Sequence, residues 1–68
     1  MNYFAYNLKV LRLEKKLSQP QLAEELGVSK GMISFWENKK YEPTPSNLII
    51  VAKFFIVSID DLLLTQLF

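Results

Sequence analysis

Residues 18–37 read SQPQLAEELGVSKGMISFWE, and this stretch decides the fold. Ser18 followed three positions later by Gln21 forms a capping box, in which each side chain bonds the other residue's backbone N–H at a helix start. Gly27 can take the left-handed conformation that ends a helix sharply. Ser29 is a second candidate N-cap two residues later. The stretch therefore predicts two short helices separated by a tight turn.

The two predicted helices each carry an apolar stripe that can face one core. The first helix has its stripe at Leu22, Ala23 and Leu26. The second helix is predicted from about Lys30 to Asn38, with Ile33 and Trp36 inward. The pair spans residues 19–38, and the following NKKYEPTP, residues 38–45, is a loop by composition.

Helical periodicity and capping signals extend over the rest of the chain. A first helix is expected at residues 3–16, where apolar residues recur at helical spacing. Thr44 followed by Pro45 opens a fourth helix that runs to about Phe55, and Ser58 caps a fifth. We predict an all-α, five-helix bundle, a single domain over residues 1–68.

The composition argues against an enzyme. The chain has neither Cys nor His, so thiolate and imidazole ligands for a metal are missing. Its adjacent carboxylates, Glu24 with Glu25 and Asp60 with Asp61, point about 100° apart on a helix and cannot flank one substrate bond. We expect no metal and no cofactor. A core this small also predicts no pocket for a small-molecule ligand.

The charge and hydropathy of the chain indicate which partners, membrane or nucleic acid, it can have. The longest uncharged apolar run, residues 48–52, is far too short to span a bilayer, and the N-terminus lacks signal-peptide order, so we expect a cytoplasmic protein without membrane contact. The net charge is only +1, but residues 9–40 hold seven of the eight cations. This polarisation fits nucleic acid, and it equally fits charges that populate solvated helix faces.

A helix, a short turn and a second helix form a geometry that can place the second helix in the major groove of DNA. Residues 17–48, LSQPQLAEELGVSKGMISFWENKKYEPTPSNL, resemble the lambda-repressor/Cro-like helix-turn-helix family (XRE-type regulators), and the similarity continues through VAKFFIVSIDDLL, residues 51–63. Ala23 matches the close approach of the two helices, and Gly27 matches the turn glycine. The resemblance implies a bacterial or phage repressor that binds a palindromic duplex operator.

The resemblance also implies roles for individual residues. Base contacts are implied for the recognition helix, at Ser29, Lys30, Gly31, Met32, Ser34 and Phe35. Phosphate contacts are implied at Gln19, Asn38, Lys39 and Lys40. A structural ion pair is implied between Arg12 and Glu37.

Two departures from the family limit these roles. Lys16 and Ile56 stand where a helix-ending glycine is common, and a β-branched residue is unfavourable in the left-handed conformation, so we expect helix four to end differently. Phe35 replaces a long polar side chain, so a bidentate base contact is lost there. Phe35 either contacts a thymine methyl in the groove or folds over Met32 or Tyr41. Direct readout is then expected to be modest and to favour A·T pairs, with a share from DNA shape.

Apolar residues remain after the core is filled. They are Ile50, Phe54, Leu64, Leu67 and Phe68. A homodimer through helices four and five would cover them. The alternatives are that Ile50 and Phe54 fold inward, or that another domain covers them.

A second function remains open for the same fold. The chain can instead be a protein-interaction module, an antitoxin or adaptor that uses helix three or the apolar C-terminal face. Phe35 favours that interpretation, whereas Lys30, Lys39 and Lys40 favour DNA.

Overall fold

The computed structural model describes residues 2–68, and Met1 lies outside the described residues. Those residues form an all-α fold of five helices and no strand. The helices are α1 (Phe4–Glu14), α2 (Gln19–Leu26), α3 (Met32–Glu37), α4 (Pro45–Phe55) and α5 (Ile59–Leu64). Within residues 2–68, no helix has the length and apolar character needed to cross a bilayer.

One core joins all five helices. Leu8, Leu22, Ile33, Val51 and Leu62 are each fully buried, and each comes from a different helix. Trp36 is buried among them, and its ring meets Phe4 edge to face at 5.9 Å between centroids. Helix α1 packs against α3 and α5, while α2 packs against α3 and α4. Helices α1 and α4 therefore pack directly on the α2–α3 pair, and α5 packs on α1 and α4.

The predicted starts of α2, α4 and α5 are confirmed. The Ser18 hydroxyl accepts the Gln21 N–H at 3.1 Å, and the Gln21 side chain accepts the Ser18 N–H at 2.8 Å. Thr44 caps α4 by accepting the Asn47 N–H, and Ser58 caps α5 by accepting the Asp61 N–H. Helix α4 has the predicted bounds, Pro45–Phe55.

The predicted start of α3 is wrong. Helix α3 begins at Met32 after Gly31, and no side chain caps it. Ser29 does not serve as the N-cap; its carbonyl instead accepts the Met32 N–H at 3.0 Å and closes a turn. Lys30 therefore lies in this turn and not on the helix. Helix α1 is also shorter than expected, because it ends at Glu14.

Helices α1 to α4 all end in the same way. A residue with positive φ follows each helix: Lys16 (58°), Gly27 (73°), Lys39 (60°) and Ile56 (56°). In each case its N–H bonds the carbonyl three residues back, and the next N–H bonds the carbonyl five residues back. This is the Schellman pattern, which satisfies the last helical carbonyls.

Ile56 corrects the expectation that helix four ends differently. It takes the left-handed conformation, with φ 56° and ψ 50°, although its side chain is branched. The following residue, Val57, packs against the core, as Leu17 and Val28 do after α1 and α2. Burial of this apolar residue and the two hydrogen bonds hold Ile56 in a conformation that costs an L-residue about 1–2 kcal/mol.

Buried Asn7 closes the bundle, and the sequence did not single it out. Its amide nitrogen donates to the carbonyls of Leu62 (2.8 Å) and Thr65 (2.7 Å), and its side-chain oxygen accepts the Leu67 N–H at 3.1 Å. Asn7 is 0% exposed, so one side chain satisfies the C-terminal end of α5 inside the protein. It joins α1 to the last residues of the fold.

Replacing Ile56 by glycine is expected to stabilise the protein. The side chain is 89% exposed, so little burial is lost. Glycine relieves the left-handed strain in the folded state, but it also adds conformational entropy to the unfolded chain. The net gain in the free energy of unfolding is expected to be about 0.5–1 kcal/mol. The expected rise in Tm is about 2–8 °C by circular dichroism. Ile56→Ala is the control, and an equal Tm for the two variants would contradict this account.

Candidate nucleic-acid interface

The turn before α3 presents three consecutive exposed residues. Ser29, Lys30 and Gly31 are all exposed, and they precede the first turn of α3. The free backbone N–H groups of a helix start carry a partial positive charge, and Lys30 adds a full one. This corner of the molecule therefore favours an anionic partner and offers hydrogen-bond donors to it.

Phe35 folds over its neighbours. Its ring meets the Tyr41 ring edge to face, with 5.0 Å between centroids, and the Lys40 Nζ lies 5.8 Å from its centroid. Its distal ring atoms also lie beside Gly31, 3.6–3.7 Å from the place where a Cβ on that glycine would stand. Phe35 therefore packs on Tyr41, as one of the expected arrangements had it. The ring is only half-buried, so a contact with DNA in the groove stays a prediction.

Three other residues of this region have partners within the protein. Met32 is half-buried and packs against the core, so little of it is presented outward. The Asn38 amide donates to the Ser34 hydroxyl at 3.2 Å on the exposed side of α3. Ser34 and Asn38 therefore form one polar pair, whose remaining donors and acceptors face solvent.

An ion pair fixes α3 on α1. Arg12 binds Glu37 with two parallel bonds, Nε to Oε2 at 2.8 Å and a terminal nitrogen to Oε1 at 3.1 Å. The two side chains are 9% and 5% exposed. Arg12 also donates to the Leu17 carbonyl at 2.9 Å, just after α1 ends. Bidentate geometry of this kind restricts orientation as well as distance.

Gln19 takes part in the same network. Its amide nitrogen donates to Glu37 Oε1 at 3.1 Å, so the side chain is tied to the end of α3. An amide NH₂ carries two donors, and this bond uses one of them. The structure thus links Gln19 to Arg12 through Glu37, which the sequence did not predict.

The two lysines after α3 differ in their surroundings. Lys39 is the residue with φ 60° that ends α3, and it lines a small cleft with Phe4 and Trp36. Lys40 is exposed beside the Phe35 ring. Both lysines follow α3 in sequence, whereas Lys30 precedes it.

The residues predicted for a dimer surface differ in exposure. Ile50 is 40% exposed, Leu64 70% and Phe68 57%. Phe54 and Leu67 instead pack partly against the core, and the Lys15 Nζ lies 5.3 Å from the Phe54 ring centroid. The sequence missed a shallow apolar groove between α4 and α5, lined by Ile49, Ala52, Lys53, Ile56, Val57 and Ile59.

Metal-binding clusters are not found in residues 2–68, where no three potential acidic, His or Cys ligands come close enough together. The groups around α3 can form hydrogen bonds and apolar contacts, and the lysines beside it supply positive charge.

A family model described as Helix-turn-helix matches residues 8–62. The chain is 48% identical over 60 residues to the HTH-type transcriptional activator BcrR of Enterococcus faecalis, an alignment covering 88% of the chain and 29% of BcrR. It is 40% identical over 59 residues to the uncharacterized HTH-type transcriptional regulator MJ0272 of Methanocaldococcus jannaschii, covering 87% of the chain and 89% of that relative.

The chain spans only part of several curated relatives. It covers 54% of the regulator YobD and 52% of the regulator YqaE, both from Bacillus subtilis. Among solved structures, it is similar to the P22 c2 repressor in complex with the synthetic operator 9T. That match has a TM-score of 0.85 and 32% identity, and covers 93% of this chain and 96% of the repressor chain.

The Arg12–Glu37 pair gives a prediction on stability. Glu37→Gln keeps the shape but leaves Arg12 buried without a counter-charge, and we expect a loss of about 3 kcal/mol in the free energy of unfolding. The double variant Arg12→Met, Glu37→Leu removes both charges and is expected to lose much less. Urea denaturation followed by Trp36 fluorescence measures both. A double variant that loses as much free energy of unfolding as Glu37→Gln, or more, would contradict the expectation.

Proposed function

The chain belongs to the helix-turn-helix family whose model spans residues 8–62, and from that membership we propose that it is a sequence-specific regulator of transcription that binds double-stranded DNA. Helix α3 and the turn before it enter the major groove, and α2 crosses the DNA backbone. Bound protein blocks or redirects RNA polymerase, which makes repression the simplest outcome. The proposal places the protein in the cytoplasm and includes no catalytic step and no cofactor.

One observation carries this proposal: the exposed turn Ser29–Gly31 stands at the start of α3, and α3 is fixed by a buried bidentate ion pair. We call the turn Ser29–Gly31 and the exposed side of α3 the reading surface. Such a surface has to be rigid, because misplacement of a hydrogen-bond donor by about an ångström loses a base contact. Lys30 and the Ser34–Asn38 pair supply the hydrogen-bonding groups on this surface. We propose Lys30 and Ser34 for direct contact with base edges.

Phosphate contacts anchor this surface on both sides. The second amide N–H of Gln19 is available for one phosphate, because the first is bonded to Glu37. The residues that follow α3 contact the DNA backbone near the C-terminal end of that helix; they are Asn38, Lys39 and Lys40. Such contacts set register and orientation without reading sequence.

Selection of binding sites from random duplex DNA tests the function. We expect a palindromic consensus whose affinity falls with salt by about 0.9 log units per phosphate contact per log unit of salt. Lys30→Ala is expected to lower affinity for that consensus about 5- to 160-fold, which corresponds to a loss of about 1–3 kcal/mol.

Lys53→Ala is the matched control, because its groove is lined only by α4, α5 and the residues between them. It removes one exposed lysine and is expected to leave DNA affinity unchanged. Equal losses in the two variants would mean that net charge alone drives binding. If no sequence is enriched, the chain does not bind an operator by itself.

A homodimer completes the proposal, since a palindromic site needs two copies of the reading surface. Three large apolar residues that remain exposed support it. Ile50 lies on α4, Leu64 ends α5, and Phe68 follows α5. Phe54 and Leu67 contribute less, since both are partly packed inside. A two-fold arrangement places the half-sites about 34 Å apart, one turn of the duplex.

Leu64→Asp tests the dimer. Placing a charge at this residue, which is 70% exposed, is expected to dissociate the dimer in analytical ultracentrifugation while Tm changes little. Affinity for the palindrome is expected to fall and affinity for a single half-site to stay the same. A wild-type protein that remains monomeric at high concentration would refute the dimer.

A protein-interaction module, antitoxin or adaptor, is the second candidate. The α4–α5 groove favours it, because Ile49, Ile56 and Ile59 are 45%, 89% and 37% exposed outside the α2–α3 pair. Lys30→Ala separates the two functions: it weakens DNA binding and leaves a complex formed through α4 and α5 intact.

A further inference from the structure

The α4–α5 groove is an apolar hollow that none of residues 2–68 fills. Its volume is about 550 Å³, and Lys53 is the one charged residue among those that line it. Three isoleucines on its walls, Ile49, Ile56 and Ile59, all remain exposed. Several large apolar side chains around one hollow are typical of a surface that another molecule covers.

Ile56 has a conformation that the domain itself does not need. Its φ of 56° and ψ of 50° are strained for a branched L-residue, whereas glycine adopts them freely. Its side chain is 89% exposed, so it adds almost nothing to the core. The isoleucine therefore lowers the stability of the isolated domain without packing inside it. Backbone strain of this kind tends to cluster at functional sites.

The shape of the groove fits a third helix. Ile49, Lys53 and Ile56 are spaced four and three residues apart along α4 and its end, so they lie on one face. Ile59 is the first residue of α5. A hollow bounded by two helices and lined with large apolar residues accepts the apolar face of another helix.

Lys53 indicates the charge of the occupant. It is exposed, and within residues 2–68 it forms no ion pair. A basic partner would be repelled by Lys53, and an uncharged one would cover it without supplying a counter-charge. An acidic side chain at the edge of the occupant would pair with Lys53 while its apolar neighbours cover the isoleucines.

The residues after α5 do not fill the groove. Asn7 bonds the Thr65 carbonyl and the Leu67 N–H, and the Tyr6 hydroxyl donates to the Phe68 carbonyl at 2.7 Å. These bonds hold residues 65–68 against α1, which contributes no residue to the groove. A second copy fits poorly as well, because a two-fold contact would bring hollow against hollow and Lys53 against Lys53.

We propose that the α4–α5 groove binds an amphipathic helix of a different protein. That helix places apolar residues at i, i+3 or i+4, and i+7 against the three isoleucines, and an Asp or Glu beside Lys53. The proposal rests on the second candidate function and specifies its partner. It is compatible with DNA binding, because the groove and the reading surface belong to different helices.

Selection from a phage-displayed library tests the groove. The library contains helical peptides of about 18 residues, about 27 Å long, with one face randomised, and the target is the full chain. We expect the selected peptides to share the apolar spacing above together with an acidic residue. Fluorescence anisotropy of the best labelled peptide gives its dissociation constant. Failure to select such a peptide overturns the proposal.

Ile56→Gly is the decisive variant, because its two expected effects have opposite signs. It raises Tm by relief of strain, and it weakens peptide binding at least about tenfold, as for loss of a buried isoleucine side chain. Leu13→Ala is the control, since Leu13 is 53% exposed on α1 outside the groove, and it is expected to leave peptide affinity unchanged. A peptide that binds Ile56→Gly as tightly as the wild type overturns the proposal.

A charge exchange tests the acidic residue of the partner. Lys53→Glu is expected to weaken binding of the selected peptide by about fivefold, while circular dichroism shows that the variant is folded. A peptide with its acidic residue changed to Lys is expected to recover most of that loss with Lys53→Glu. If it does not, the assignment of an acidic partner is wrong.

Sedimentation distinguishes a second copy from a partner helix. A wild-type dimer that becomes a monomer in Ile56→Gly would make the groove a self-association surface and refute the partner helix. The homodimer through Ile50, Leu64 and Phe68 is instead expected to persist in that variant. Failure of the groove leaves operator binding intact, because Ile56→Gly is expected to bind the selected duplex normally. If no duplex is selected while peptides still bind, DNA binding fails and the groove stands.

Discussion

The ion pair between Arg12 and Glu37 joins the three elements that define the reading surface. Arg12 comes from α1, Glu37 ends α3, and Gln19 begins α2 and bonds the same carboxylate. Both charges are almost fully buried, so each depends on the other as its counter-charge. Helix α3 has only six residues and no side-chain cap, and a helix this short has little stability of its own. Its position therefore depends on this pair and on burial of Ile33 and Trp36.

Much of the fold could be predicted because its signals are local. Ser18 with Gln21, Thr44 with Pro45, and Ser58 each mark a helix start within four residues of sequence, and all three are present. The left-handed residues Lys16, Lys39 and Ile56 could not be predicted in this way. Their conformations depend on helix-end hydrogen bonds and, for Lys16 and Ile56, on packing of the following residue, which together outweigh local preference.

The candidate site was predicted less completely than the fold. Its residues were found from the resemblance, but their side-chain partners depend on contacts distant in sequence or placed by loops. Gln19 reaches Glu37 across 18 positions, and this bond was not predicted, whereas packing of Phe35 on Tyr41 was one of the arrangements expected for that ring. The turn at Ser29 was misassigned because serine is a good N-cap in general, whereas here its carbonyl is used instead of its hydroxyl.

Asn7 has a consequence for the order in which the chain acquires its structure. Its partners are 55–60 positions later in sequence, at Leu62, Thr65 and Leu67. During synthesis the segments for α2 and α3 leave the ribosome well before these partners do, while α1 waits with an unsatisfied amide on its inner face. Helix α1 can satisfy this buried amide only after residues 62–67 have been synthesised. These hydrogen bonds close a loop almost as long as the domain, and contacts between residues so far apart in sequence are slow to form.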